Sequence, residues 1–78
     1  MDKRNILVVD DELDTRIFLL NLLNACGFLP VAAQNRREGY RIAVAEKPSV
    51  IILNMTMAGK DGIRLYRNLK QEQDLKNI

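Results

Sequence analysis

Residues 50–62 read VIILNMTMAGKDG, an apolar run followed by a polar residue, a loop and a glycine-bounded helix start. Its first four residues, Val50 to Leu53, are all apolar and do not alternate with polar residues. A strand that is buried on both faces of a parallel sheet has this pattern. Asn54 follows directly, at the carboxyl end of the predicted strand, where open α/β sheets place their functional groups.

A second stretch near the N-terminus follows the same plan. Ile6 to Val9 are apolar, and Asp10 and Asp11 come directly after them. Because the carboxyl ends of parallel strands meet at the same edge of a sheet, we expect Asp10, Asp11 and Asn54 to lie close together. The sequence therefore places a candidate acidic pocket beside an amide side chain.

Between and after these strands, segments of helical periodicity alternate with β-rich runs. Pro30 lacks an N–H group, so the strand that contains it belongs at an edge of the sheet. Gly27 is a typical helix end, and Lys47-Pro48 ends the following helix. The order βαβαβα, with short connections, predicts an α/β fold with a parallel sheet and right-handed crossovers. The predicted elements are strands over residues 6–9, 28–33 and 50–53, and helices over residues 14–26, 36–46 and from 61 or 62 onward.

The composition narrows the class of protein. Seventy-eight residues form at most one small domain, which we take as residues 1–78, and 47% of them are apolar. The net charge of +2, without a basic block, does not favour a nucleic-acid partner. One cysteine and no histidine exclude a disulfide framework and an ordinary zinc site. No apolar run reaches membrane-spanning length and no signal peptide is evident, so we expect a cytoplasmic protein without membrane contact.

The predicted first helix carries two apolar stripes. At about 100° per residue, Leu13, Ile17 and Leu20 share one side. The roughly opposite side is formed by Phe18, Leu19, Leu22, Leu23 and Cys26. We expect Cys26 to be packed there. Since a surface helix on a sheet needs only one such stripe, the other is either a scattering of exposed aliphatic residues or packs on a further surface.

These features together resemble the receiver domain of two-component response regulators, across essentially the whole chain. Each matching segment is weak alone, but together, in this order and spacing, the segments are specific. They are Ile6-Leu7-Val8-Val9-Asp10-Asp11-Glu12, Gly27-Phe28, Lys47-Pro48 before residues 50–53, and Met57-Ala58-Gly59-Lys60-Asp61-Gly62. The resemblance implies a flavodoxin-like fold, truncated after the third βα unit, with the sheet order 2-1-3.

The resemblance also assigns roles to the polar residues. In the family, a strand-end aspartate accepts phosphate from a histidine kinase, and an acid pair matching Asp10 and Asp11 helps to hold Mg²⁺. Here the acceptor position is Asn54, whose amide has no carboxylate oxygen to attack phosphorus. The loop proline of the family is Ala58, and its phosphate-contacting threonine or serine and lysine would follow Ile78. The resemblance thus implies a vestigial phosphoacceptor position at Asn54 and a vestigial acidic pocket at Asp10 and Asp11.

We predict no cofactor, no resident metal and no catalytic residue. Weak Mg²⁺ binding stays open, because the carboxylates of Asp10 and Asp11 and the amide oxygen of Asn54 are the kind of ligand that this ion prefers. The plainer interpretation is a solvated acidic cluster that helps to cap the first helix.

A sheet in the order 2-1-3 would leave the strand over residues 50–53 at an edge, without a proline or a charge to protect it. The resemblance also implies that the first helix lacks a neighbour on its face of the sheet. We therefore expect a symmetric homodimer in which the third strand pairs antiparallel with its copy and the first helices meet. A domain-swapped dimer is an open alternative. The expected interface comprises Val50, Ile51, Ile52, Leu53, Leu13, Ile17 and Leu20.

Two classes of function remain, and neither is enzymatic. The first is a non-phosphorylatable interaction module that binds itself and either a histidine kinase or another response regulator. The second is a phosphorelay component that is regulated by a partner chain or by another acceptor. Asp61 is the nearest alternative acid, although it fits a structural role at a helix N-terminus. A decayed gene product that merely folds is a third interpretation.

Overall fold

Three parallel strands form one sheet in the order β2-β1-β3, in a computed structural model that describes residues 3–78. The strands are β1 (Asn5–Val9), β2 (Leu29–Ala33) and β3 (Val50–Leu53). Leu7 in the central strand is aligned with Val31 on one side and Ile51 on the other. The predicted α/β fold and sheet order are confirmed, and β2, which contains Pro30, lies at an edge as predicted.

The helices are α1 (Leu13–Ala25), α2 (Arg36–Glu46) and α3 (Asp61–Gln71), and a 3₁₀ turn over Ala58–Lys60 precedes α3. Helix α1 packs on β1 and β2, whereas α2 packs on β1, β2 and α3. Right-handed connections place α1 on one face of the sheet and α2 on the other. The sheet therefore has a two-helix face and a one-helix face.

The main core lies on the two-helix face. Leu7 and Val9 of β1 are buried there, and Leu65 of α3 is fully buried against them. Helix α2 packs closely against α3 because Gly39 has no side chain. A Cβ atom on Gly39 would lie 2.9 Å from Leu65 Cδ2. Leu75, in the turns after α3, is also buried, so the segment that follows α3 is part of the core.

The one-helix face is covered more thinly. Ile6 and Val8 are buried beneath α1, yet every residue of α1 keeps some exposure to solvent. The inner side of α1 is half-buried and comprises Leu19, Leu20 and Leu23, with Thr15 and Arg16. The apolar side chains of α1 therefore stay partly exposed on this side of the molecule.

The end of α1 corrects one prediction. Cys26 is exposed, contrary to the prediction that it is packed. It lies one residue beyond the helix, where Gly27 adopts a left-handed φ of 91° and turns the chain toward β2. The N–H groups of Gly27 and Phe28 donate to the carbonyls of Asn24 and Leu23, which is the Schellman arrangement and confirms Gly27 as the helix end.

Helix α2 begins and ends where the sequence predicts. The Asn35 side chain accepts a 2.8 Å hydrogen bond from the N–H of Glu38, which caps the first turn. At the other end Lys47 takes a left-handed conformation, with φ of 45°, and the buried Pro48 directs the chain into β3. None of the helices described over residues 3–78 combines the length and the apolar composition that crossing a bilayer requires.

Candidate functional site at the carboxyl ends of β1 and β3

The candidate site forms where the two neighbouring strands end. Val9 of β1 is aligned with Leu53 of β3, and the N–H of Asn54 donates a 3.0 Å hydrogen bond to the carbonyl of Val9. The residues that follow the two strands, Asp10 and Asn54, therefore start side by side at one edge of the sheet.

Asp10 is held from several directions. It is 8% exposed, and its Oδ1 accepts hydrogen bonds from the N–H of Glu12 at 2.9 Å and from Nδ2 of Asn54 at 3.3 Å. The guanidinium of Arg16, in the first turns of α1, donates a 2.9 Å hydrogen bond to the backbone carbonyl of Asp10. The carboxylate is thus fixed against the start of α1 and against β3.

The orientation of the Asn54 amide follows from its partners. Its Oδ1 accepts hydrogen bonds from the backbone N–H of Thr56 at 2.9 Å and from the Thr56 hydroxyl at 2.7 Å. A backbone N–H can only donate, so the amide atom facing Thr56 is the oxygen and the atom facing Asp10 is the nitrogen. The amide therefore bridges Asp10 and the first turn of the loop.

Asp11 takes a different position from Asp10. It is exposed, and its Oδ2 accepts a 3.4 Å hydrogen bond from the N–H of Ala58. Asp10 therefore contacts the start of the loop between β3 and α3 through Asn54, whereas Asp11 contacts its far part directly.

The loop returns sharply into α3. Gly59 and Lys60 both have left-handed φ angles, 66° and 60°. Gly62 then packs against the backbone of Asn54 and Met55, with no room for a Cβ atom. The glycine positions thus let the loop close tightly behind Asn54, whereas a left-handed lysine is an unusual conformation for a residue with a side chain.

The donor set does not fit Mg²⁺. This ion requires oxygen ligands in near-octahedral arrangement. Asp10 Oδ1 already accepts two N–H groups, and Asn54 directs its nitrogen, not its oxygen, toward that carboxylate. Across the part of the chain that the structure describes, no three histidine, cysteine, aspartate or glutamate residues are placed to hold a metal ion together.

The predicted interface residues lie on two elements. Val50 is 47% exposed, and Ile51, Ile52 and Leu53 are half-buried. Within residues 3–78, the side of β3 that faces away from β1 has no strand paired to it. On α1, Leu13 is 59% and Ile17 is 48% exposed, whereas Leu20 is half-buried and offers less surface.

Three contributors to the site were not predicted from the sequence: Glu12, Arg16 and Thr56. Thr56 carried a usable signal, because an asparagine side chain commonly accepts from the backbone two residues later. Arg16 carried a weaker one, its place in the first turns of a helix that follows an acid pair. The backbone N–H of Glu12 has no signature in the residue type.

Comparison with known proteins agrees with this architecture. The family model of the response regulator receiver domain matches residues 6–78. The phosphate regulon transcriptional regulatory protein PhoB of Pseudomonas aeruginosa is 33% identical over 70 residues, which are 90% of this chain and 31% of that protein. Sporulation initiation phosphotransferase F of Bacillus subtilis is also 33% identical over 70 residues, again 90% of this chain but 56% of that protein.

A solved structure shows the same fold. The N-terminal domain of a response regulator receiver protein from Methanoculleus marisnigri JR1 superposes with a TM-score of 0.89 at 26% identity, over 95% of this chain and 60% of that one. The chain thus spans less than two thirds of each of these proteins. The sheet order, the acid pair after β1 and the family match over nearly the whole sequence lead to one conclusion: this chain belongs to the response regulator receiver domain family of two-component signalling.

Proposed function

We propose that this chain is a non-phosphorylatable receiver-like interaction module that acts as a homodimer, with residues 1–78 forming one domain. Asn54 stands at the end of β3, where receiver domains carry their phosphoacceptor aspartate. An amide has no carboxylate oxygen with which to form an acyl phosphate. Its oxygen is also engaged by Thr56, and its nitrogen by Asp10. The proposal therefore assigns no catalytic residue and no enzymatic activity to the chain.

The observation that carries the dimer is the open edge of β3. Its outer N–H and C=O groups face away from β1, and the strand contains four apolar residues without a proline or a charge. Such an edge is a template for pairing with another strand. A second copy of β3 is a strand of matching length and composition, so we propose that it pairs with this edge.

A two-fold axis perpendicular to the sheet gives antiparallel pairing and the strand order 2-1-3-3′-1′-2′. The alternation along β3 places Val50 and Ile52 on the same face as Ile6 and Val8, because their register partners are these residues of β1. That is the one-helix face, so the two-fold axis also places the two α1 helices on the same side of the extended sheet. We propose that the exposed residues Leu13 and Ile17, with Leu20 beside them, form the α1 part of the interface.

The proposed further partner is a histidine kinase or another response regulator, since the family works through such contacts. Because Asn54 cannot be phosphorylated, occupation of that partner would not depend on the phosphorylation state of this chain. We also propose a cytoplasmic setting, since a sequence with a single cysteine holds no disulfide framework of the kind that secreted domains use.

The dimer is tested by Val50→Lys, which places a charge where β3 is proposed to pair with its copy. Val50 is already 47% exposed, so the monomer fold should accept lysine there. The matched control is Val44→Lys, at an α2 residue that is 41% exposed and lies away from β3. Light scattering on a sizing column should give a monomer for Val50→Lys and a dimer for Val44→Lys. Equal dimer affinity in the two variants would remove β3 from the interface.

The phosphorylation part is tested with acetyl phosphate and Mg²⁺, followed by intact-protein mass measurement. We expect no phosphoryl adduct on the unmodified chain. An acid-stable or hydroxylamine-sensitive adduct would favour the alternative of a phosphorelay component, and peptide mapping would show whether Asp61 or another residue is the acceptor.

A further inference from the structure

We infer that the Asn54 amide takes the place of a bound cation at this site, tethering the loop between β3 and α3 to Asp10 without any metal. Asn54 is in this sense a positioning residue. The inference does not require the dimer or an external partner, because it rests only on contacts within the chain.

The first step is the direction of the amide. The Thr56 backbone N–H lies 2.9 Å from Asn54 Oδ1, and the Thr56 hydroxyl lies 2.7 Å from the same atom. This pair of donors fixes Nδ2 toward Asp10, whose Oδ1 it reaches at 3.3 Å. The amide nitrogen therefore contributes two positively polarised hydrogens on the side of the site where the carboxylate lies.

The second step is the environment of Asp10. Its carboxylate is nearly buried and accepts one backbone N–H, from Glu12, besides the amide of Asn54. A buried carboxylate needs donors or a counter-cation, because removing it from water is costly. The Asn54 N–H supplies a donor at the position where an acceptor aspartate would supply a negative oxygen.

The third step is the comparison with a carboxylate at position 54. An aspartate of the same shape would place an oxygen against Asp10 Oδ1, and two close carboxylates repel unless a cation lies between them. A receiver domain with that aspartate therefore gains from a divalent ion. In this chain the repulsion is replaced by an attractive hydrogen bond, so the divalent ion has no corresponding effect to exert.

A second tether holds the far part of the loop, also without a metal. Asp11 Oδ2 accepts from the N–H of Ala58, two residues beyond Thr56. Asn54 and Asp11 together thus connect both ends of residues 54–58 to the acidic segment after β1. Each contact is a hydrogen bond from a neutral donor to a carboxylate, and each would compete with a metal for the same oxygens.

The experiment compares thermal unfolding with and without about 10 mM MgCl₂ at matched ionic strength, for the unmodified chain, Asn54→Asp and Asn77→Asp. Asn77→Asp adds the same charge at an exposed residue far from the site and is the control. We expect Mg²⁺ to leave the Tm of the unmodified chain and of Asn77→Asp unchanged. Asn54→Asp should melt at least about 4 °C lower without Mg²⁺ and recover most of that difference when Mg²⁺ is added.

Two outcomes would overturn the inference: an Mg²⁺-induced rise in Tm of the unmodified chain equal to that of Asn54→Asp, or an Asn54→Asp protein that needs no Mg²⁺ for full stability.

If Asn54→Asp does not fold, the unmodified chain still shows whether a cation binds at this site. Mn²⁺ added at low concentration to ¹⁵N-labelled protein should leave the amide signals of residues 10–12 and 54–58 unbroadened relative to exposed acids elsewhere. Selective broadening there would show a working cation site and contradict the inference.

Discussion

Gly62 packs directly against the backbone of Asn54: a Cβ atom on Gly62 would overlap the Asn54 carbonyl oxygen and lie 2.7 Å from Met55 Cα. The first turn of α3 therefore begins in contact with the end of β3. This contact fixes the path of the loop between them and, through it, the position from which the Asn54 amide reaches Asp10.

The close approach predicts that Gly62→Ala is strongly destabilising. The added methyl group meets backbone atoms, which cannot move aside as a side chain can, so we expect a loss of about 3 kcal/mol or more in the free energy of unfolding. The matched control is Gly59→Ala, where the nearest atom is 4.0 Å away and only the φ of 66° opposes alanine. That substitution should cost about 1–2 kcal/mol by urea unfolding. Equal costs for the two variants would show that the helix start can shift.

The hydrogen bond between Tyr40 and Glu72 predicts that the stability of the fold decreases at high pH. The Tyr40 hydroxyl donates a 2.6 Å hydrogen bond to Glu72 Oε1. That hydrogen bond is the main cause that raises the pKa of Tyr40, with desolvation and the Glu72 charge adding to it. Since the folded pKa is raised above the ordinary value of about 10, the contact stabilises the fold fully below about pH 10 and is lost as the pH rises through the raised pKa.

The urea concentration at the midpoint of unfolding should therefore fall less steeply in Tyr40→Phe than in the unmodified protein between about pH 8 and about pH 11. Tyr66→Phe, at the other tyrosine of the chain, is the control and should keep the slope of the unmodified protein. In Tyr66→Phe protein the one remaining phenol, Tyr40, can be followed by its ultraviolet absorbance. Ionisation of that phenol at or below about pH 10 would contradict the hydrogen bond.

The start of α2 depends on Asn35. Its side chain accepts the N–H of Glu38 at 2.8 Å, while Glu38 Oε1 accepts the N–H of Gln34 at 3.1 Å, so two backbone donors at the start of α2 are satisfied. Asn35→Ala should lower the free energy of unfolding by about 1 kcal/mol, and Asn77→Ala, at an exposed residue outside any helix, by less than about 0.5 kcal/mol. Denaturant titrations of both variants measure the difference, and a cost shared equally between them would mean that the cap does not hold α2.

The buried Leu75 predicts that the segment after α3 is structural. Leu75→Ala removes a side chain from the main core and should cost about 2–5 kcal/mol. Leu22→Ala, on the exposed side of α1, makes the same chemical change and should cost less than about 0.5 kcal/mol. Urea unfolding distinguishes the two. A cost at Leu75 as small as that at Leu22 would mean that residues 72–78 detach from the core in solution.

The strands and α2 were predictable because their signals are local. The apolar runs of β1 and β3, the proline in β2 and the Lys47-Pro48 helix end each act through the backbone of the residue itself. The sheet order came from resemblance to a family, not from these signals, and the structure confirms it.

The packing of helix α1 was less predictable than that of the strands, because apolar residues lie on nearly all sides of this helix. Periodicity could not tell that Leu20 lies with Leu19 and Leu23 on the half-buried side, or that Cys26 falls beyond the helix and is exposed. The reason is that both apolar stripes of α1 have helical periodicity, so the pattern does not show which of them faces the sheet. The contact of the Asn54 amide with Asp10 joins residues that lie 44 positions apart, a tertiary relationship that no single residue type shows.

The homodimer is tested most simply by the solution mass of the unmodified chain, measured by light scattering across a dilution series from about 100 μM to about 1 μM. We expect twice the chain mass at the upper concentrations, and any dissociation on dilution should fit a single monomer–dimer equilibrium that Val50→Lys abolishes. A folded protein of single-chain mass at every concentration would contradict the homodimer through β3 and α1.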